Sequence, residues 1–235
     1  MISILNIETS SRLCSVSLSS DGKMVSYKES RQPDSHSAML AVMVNEIVAD
    51  IDVVPSAVSV SIGHGSYTGL RIGLSLAKGL AFRWSIPLIS IPTLKIVAAG
   101  YMKCVNPGNS SLILCPMMDA GRNEVYVAQY DTDLNELLKS HPFLIDNPDI
   151  NIFTEGFEYI VMGSGAEKAE KKIKNKNICF DLQNYLCAEY MPEISYKMYK
   201  EEKFSDIAYQ TPEYLKEFVA IKPKSSLIYK GTQFD

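Results

Sequence analysis

Only three of the 235 residues are histidine and one is tryptophan. His36, His64 and His141 lie far apart in the chain, so no two can sit one helical turn apart on one face, as a zinc- or iron-binding pair would. No Gly-x-Ser-x-Gly elbow offers a serine nucleophile, and the scattered carboxylates make no convincing acid–base pair. The five cysteines (Cys14, Cys104, Cys115, Cys179 and Cys187) are an odd number without a Cys-x-x-Cys, which fits reduced thiols and not a disulfide framework. Positive charge is not in excess: 23 Lys and Arg face 27 Asp and Glu, a formal net charge of −4, which argues against a chain that grips nucleic acid unaided. No apolar run is long enough to cross a bilayer, and no solenoid repeat is present. Met1-Ile2-Ser3-Ile4-Leu5 enters a strand pattern at once, without the basic start of a secretory signal. The expectation is a cytoplasmic protein without membrane contact.

What the chain does have is a strand pattern, Ala57 to Ile62, running into Gly63-His64-Gly65-Ser66-Tyr67-Thr68-Gly69 and then into a long apolar helix ending near Phe82. Gly65, Gly69, Gly73, Ala77 and Ala81 recur at every fourth position. This strips side chains from one helical ridge and predicts close approach of another helix. Glycine within a helix costs about 0.5–1 kcal/mol relative to alanine, so local preference does not account for it. The loop is no P-loop, because no Lys-Ser or Lys-Thr follows, and its third glycine comes one residue late for Gly-x-Gly-x-x-Gly. An anion at the helix amino end and a plain tight turn both stay open.

Elsewhere the pattern predicts strands over 2–7, 14–18 and 24–28, the last two joined by Asp21-Gly22, then a helix over 35–50 capped by Ser35. A strand over 87–91 and a helix to Met102 follow, and Asn106-Pro107-Gly108-Asn109-Ser110 is a linker. Beyond it, 112–118 and 124–130 form a hairpin, 159–162 is a strand that meets Gly163-Ser164-Gly165, and a helix spans 188–202. The chain thus divides into an α/β lobe over 1–105 and a smaller lobe with an irregular tail over 106–235.

On the 35–50 helix, His36, Leu40, Met43 and Ile47 share one face, while Ala38, Ala41, Val42, Val48 and Ala49 fill the other. Apolar residues nearly all round imply burial on two sides, either inside the domain or against a partner. Glu8-Thr9-Ser10 at the end of the first strand offers a carboxylate and hydroxyls for a nucleotide with its metal, with a polar turn as the alternative. Asp119 and Arg122 can hold one another, bind a ligand or simply shape a turn.

Four segments together resemble the TsaB (YeaZ) family. Ile4-Leu5-Asn6-Ile7-Glu8-Thr9-Ser10 stands where the family has a strand ending in Asp-Thr-Ser. Gly63 to Arg71 stands for Gly-Pro-Gly-Ser-Phe-Thr-Gly-x-Arg, Asp119 to Tyr126 for Asp-Ala-Arg-x-x-Glu-Val-Tyr, and Pro212 to Lys216 for Pro-x-Tyr-Leu-Arg. The departures are Glu8, His64, Tyr67, Gly121 and Lys216, where the family has Asp, Pro, Phe, Arg and Arg. The resemblance implies a two-lobed actin-like ATPase (ASKHA, ribonuclease H-like) fold with a reduced second lobe. It implies a non-catalytic scaffold for threonylcarbamoyladenosine (t6A) formation in tRNA, bound to TsaD through helices 35–50 and 65–82 and working with TsaE. The apolar surface of these helices predicts a homodimer when the chain is alone, and the negative net charge predicts tRNA contact only within the complex. Thr93 and Val97 align with TsaD's two metal-binding histidines, so no metal is expected. The contacts expected with the partner are Ala38, Val42, Gly69, Gly73, Leu76 and Ala77. Glu8, Thr9, Ser10, Gly65, Ser66 and Arg122 would meet any nucleotide or anion; no cofactor is expected beyond ATP or ADP at the partner interface. The rival readings are an actin-like ATPase or kinase, and a metallopeptidase-like (glycoprotease) homologue.

Overall fold

The first half of the chain folds as β1 (Ser3–Glu8), β2 (Cys14–Ser20), β3 (Lys23–Ser30), α1 (His36–Ala49), β4 (Ala57–Gly63), α2 (Tyr67–Trp84), β5 (Leu88–Pro92) and α3 (Thr93–Val105). The computed structural model describes residues 1–32, 36–49, 54–105, 107–108, 111–146 and 152–213. Asp21 and Gly22 both take positive φ, at 47° and 79°, the left-handed pair that a two-residue hairpin needs. The sheet order is β3-β2-β1-β4-β5. β2 is antiparallel to β1 and β3, and β4 is parallel to β1 and β5.

The second half repeats this plan. β6 (Leu112–Asp119), β7 (Glu124–Tyr130), β8 (Glu136–Leu144), β9 (Glu158–Met162) and β10 (Ile178–Asp181) pair in the order β10-β9-β6-β7-β8, with the same strand directions. Two sheets of this order are the halves of an actin-like ATPase (ASKHA) fold, each ribonuclease H-like. The reduction of the second lobe falls on its helices, since all five strands are present. α4 (Ala166–Lys172) has 7 residues where α2 has 18, and no helix is described between β8 and β9. β8 and β10 were not predicted. β8 contains Pro142, which removes a backbone donor and is tolerated because the strand is at the sheet edge. The helix expected over 188–202 is two elements, a 3₁₀ turn at Ala188–Tyr190 and α5 (Pro192–Lys200). Pro192 fits the first turn of a helix but not its middle. Ser35, Tyr214 to Lys216 and the tail over 221–235 lie outside the described residues. Among those described, no helix is long and apolar enough to cross a membrane.

The halves exchange helices. α3 packs on β6, β7 and β9 of the second sheet, while α5 and the 3₁₀ turn pack on β1, β2 and β3 of the first. One core cluster therefore spans both lobes, from Ile4 and Ile89 through Leu94 and Val97 to Leu114 and Ile160. Inside it lies a polar ladder. The Asn6 amide donates to Ser17 Oγ and Ser19 Oγ, each at 3.2 Å, and accepts from Ser59 Oγ at 2.6 Å. Ser17 Oγ donates to the Ala188 carbonyl at 2.7 Å, and the Ala188 N–H donates to Ser15 Oγ at 2.9 Å. Burying a large apolar side chain is worth about 1.5–3 kcal/mol and a net hydrogen bond about 0.5–1.5. The apolar cluster thus supplies most of the adhesion, and the ladder fixes where the second half sits.

The small-residue ridge of α2 faces inward. A methyl at Gly69 would stand 2.1 Å from the Thr9 carbonyl oxygen, and one at Gly73 would stand 2.2 Å from Thr9 Oγ1. Ala77 and Ala81 are fully buried against the first sheet. The groove expected to receive a partner is filled by the chain's own Thr9, the residue after β1, because only a helix without side chains there can lie this close to it. Gly79, by contrast, has nothing within 4 Å. Gly73→Ala is predicted to cost about 1–3 kcal/mol by overpacking, and Gly79→Ala to add up to about 1 kcal/mol. Urea unfolding measures both. Adding Thr9→Ala to Gly73→Ala should give a smaller loss than the sum of the two single changes; simple additivity would contradict the contact.

Candidate functional site

Described residues from all four motif segments meet at the turn after β4. Gly65 has a φ of 144°, and a methyl there would stand 2.2 Å from the Ser10 carbonyl oxygen. Ser66 N–H donates to that oxygen at 2.7 Å, and Ser66 Oγ caps α2 by accepting from Gly69 N–H at 3.1 Å. Thr9 Oγ1 donates to the Gly69 carbonyl at 2.8 Å. His64 is 4% exposed. Its ring stacks on Tyr126 of β7 at 4.2 Å, and its Nε2 meets Ser140 Oγ of β8 at 2.5 Å. Glu213 arrives from the other end of the chain and donates its N–H to the Ile62 carbonyl at 2.7 Å. Its Cβ lies 2.8 Å from where a Gly63 methyl would stand, so Gly63 must be glycine for this segment to seat.

The residues expected to meet a nucleotide are turned to the chain's own use. Glu8, Thr9 and Ser10 are sealed from solvent. Glu8 Oε1 accepts from both the N–H and the Oγ of Ser10 at 2.5 Å, while burial raises the carboxyl's pKa against the weaker pull of Ser10 and Ser61. Glu8 Oε2 and Ser61 Oγ have no hydrogen-bond partner. Gly65 and Ser66 are exposed but stand on the turn already described. Arg122 sits at the exposed tip of the β6–β7 hairpin with φ at 48°. It does not pair with Asp119, whose Oδ1 accepts from Gly121 N–H at 2.7 Å and from Lys168 Nζ.

Beside this junction lies an open face. α1 turns Leu40, Met43, Val44 and Ile47 onto the sheet and leaves Ala38, Ala41, Val42 and Ala49 outside. Val42 is 45% exposed, and Phe82 on α2 is 79% exposed. Tyr67, with Arg71 4.0 Å above its ring, extends the face. Of the six expected partner contacts, Ala38 and Val42 lie on it and Leu76 is partly exposed, whereas Gly69, Gly73 and Ala77 are buried. Phe82 is not marked by the small-residue spacing, which picks out the inner ridge of α2; its apolar side chain near the end of the helix is the only sequence signal for it.

A family model for TsaD, tRNA N6-adenosine threonylcarbamoyltransferase, matches residues 30–228. The chain is similar to the tRNA threonylcarbamoyladenosine biosynthesis protein TsaB of Escherichia coli (strain K12), with 29% identity over 93% of this chain and 96% of that protein. TsaB of Bacillus subtilis (strain 168) is 31% identical over 55% of each. YeaZ from Pseudomonas aeruginosa has the same fold, with a TM-score of 0.78 and 20% identity over 92% of this chain and 100% of that one. The chain belongs to the TsaD family, in its TsaB (YeaZ) group. Its family motifs, scattered along the sequence, build one interlobe junction here.

Within that junction His64, where the TsaB pattern has proline, is the imidazole that titrates. Burial pushes its pKa from the ordinary 6.5 down to about 4. The unfolded chain takes up this proton near pH 6.5 and the folded chain only near 4. The contribution of neutral His64 is therefore complete above pH 6.5 and is lost as pH falls toward 4. It is predicted to reach about 3 kcal/mol at most. Denaturant unfolding between pH 7 and 4 should lose this part of its slope in His64→Gln; an unchanged slope would place the proton uptake elsewhere.

Proposed function

We propose that this chain is a non-catalytic subunit in t6A formation in tRNA, and that it docks TsaD through the outer face of α1 and α2, in a complex that also uses TsaE. The observation that carries this is the open apolar face itself, with Val42 of α1 45% exposed and Phe82 of α2 79% exposed, on helices that also expose the small residues Ala38, Ala41 and Gly79. A monomeric soluble protein rarely leaves such a patch bare. Small residues between two large anchors let a partner helix lie close, and the anchors fill its grooves. Similarity to proteins named for threonylcarbamoyladenosine biosynthesis supports the pathway, and the TsaD family match supports a relative of like fold as partner.

The non-catalytic reading rests on α3. Thr93 and Val97, which align with TsaD's metal-binding histidines, are buried in the interlobe core, and valine has no atom to offer a metal. Net negative charge makes tRNA contact a property of the complex and not of this chain alone. When TsaD is absent the same face pairs two copies, since a self-complementary apolar patch closes with two-fold symmetry.

A chain carrying both Val42→Glu and Phe82→Glu is predicted to fold normally, because both sites are exposed, and to lose TsaD affinity by about a hundredfold, the scale of two lost anchors. Titration calorimetry against TsaD measures this, and the concentration dependence of the isolated chain in sedimentation should vanish in the same variant. Undiminished binding of TsaD would move the docking site off this face.

A further inference from the structure

Glu8 ends β1 with a carboxyl group closed off from water and from cations alike. It is 0% exposed, and among the described residues it makes no ion pair. We propose that Glu8 carries a proton at neutral pH, on Oε2 and toward Ser61, and that the junction after β4 loosens when this proton leaves. The first ground is how the two oxygens are used. Oε1 accepts from both the N–H and the Oγ of Ser10, and Oε2 accepts from nothing. Charge held away from water without a partner costs far more than a neutral polar group. One bare oxygen is tolerable for an uncharged acid and not for an ion. The second ground is strand register. In the parallel pair of β1 and β4, Asn6 stands beside Ser59 and Ile7 beside Val60, and Ser59 Oγ donates to the Asn6 amide oxygen at 2.6 Å. One pleat further along both strands, on the same face, come Glu8 and Ser61, whose hydroxyl is buried and has no partner either. Ser61 is the acceptor next in line on a ladder that already joins these strands.

The elements packed around Glu8 bring no charge to it. The titratable groups that face it are the thiols of Cys14 on β2 and Cys187 before the 3₁₀ turn, which burial pushes up to about 12 and about 11. His64, in the turn after β4, is neutral as well. The buried residues of α2, α3 and α5 include no charged side chain. Lys95 of α3 lies among Lys197, Lys203, Glu136 and Glu201 instead, and Glu189 of the 3₁₀ turn is paired with Lys103. Burial is accordingly the largest influence on the Glu8 carboxyl and raises its pKa above the ordinary 4.5. The proton is also linked to the start of α2, because the Ser10 that bonds Glu8 takes the Ser66 N–H on its carbonyl at 2.7 Å.

The test follows the carbon-13 resonance of the Glu8 carboxyl in the folded full-length chain. It should show the protonated form at neutral pH and titrate only above it, and the Ser66 amide should shift with the same midpoint. Stability gives a second measurement. The unfolded chain releases this proton near 4.5, while the folded chain keeps it to higher pH. The contribution of protonated Glu8 is therefore complete below 4.5 and is lost as pH rises through the folded-state pKa. Glu8→Gln keeps the shape without the titration. Relative to that variant, the unfolding equilibrium constant of the parent should rise about tenfold for each pH unit above 4.5, until the folded chain also lets the proton go. A Glu8 carboxyl that titrates near 4.5 in the folded chain, a Ser66 amide indifferent to its titration, or the same pH dependence of unfolding in parent and Glu8→Gln would each overturn the proposal. Should Glu8→Gln fail to fold, the two resonances decide alone.

Discussion

The contact between Thr9 and the backbone of α2 sets the position of nearly everything that matters in this molecule. β1 is the central strand of the first sheet, and α2 is the longest helix. Bringing them within van der Waals reach over Gly69 and Gly73 leaves α2 no freedom to tilt. The Thr9 hydroxyl, donated to Gly69, makes the approach a hydrogen bond as well as a packing contact. The turn before α2 then has one course. It lays Ser66 on Ser10 and swings His64 across to the second lobe. A helix locked on its inner side in this way can present its outer side as a rigid surface, and rigidity lowers the entropic cost of binding.

The inner side also explains why Glu8, Thr9 and Ser10 are closed to solvent. Ser10 holds Glu8 through Oε1 alone, Thr9 serves α2, and the turn that could cradle a phosphate lies flat on Ser10. The same residue types at the same strand end can serve a ligand or a packing contact. What separates the two outcomes is whether the glycines leave room above the turn or are used up beneath it.

Much of this was legible in the sequence. The strands around β1 and β4, the Asp21-Gly22 hairpin, the glycine turn and the two faces of α1 follow from alternation, helical period and turn chemistry, and the structure has them. β8 escaped because Pro142 and the polar run Lys139-Ser140-His141 spoil alternation at a sheet edge, where neither is costly. The ridge on α2 was legible as a close approach, but sequence pattern carries no sign of whose atoms fill it, and they were the chain's own. The exchange of α3 and α5, and the meeting of His64 with Tyr126 and Ser140, join residues distant in the chain through a fold whose doubled sheet order no single segment encodes.

That doubled order has one more consequence. Two copies of the same sheet plan invite two copies of the same outer helical layer, and a subunit with a sticky layer at each end would add neighbours indefinitely. Here the second layer has been cut back to the short, charged α4, whose lysines pair with Glu167, Asp119 and Asp146 and stay wetted. If the outer face of α1 and α2 docks a partner as proposed, a single adhesive end would halt assembly at a pair instead of letting it run on into a fibre.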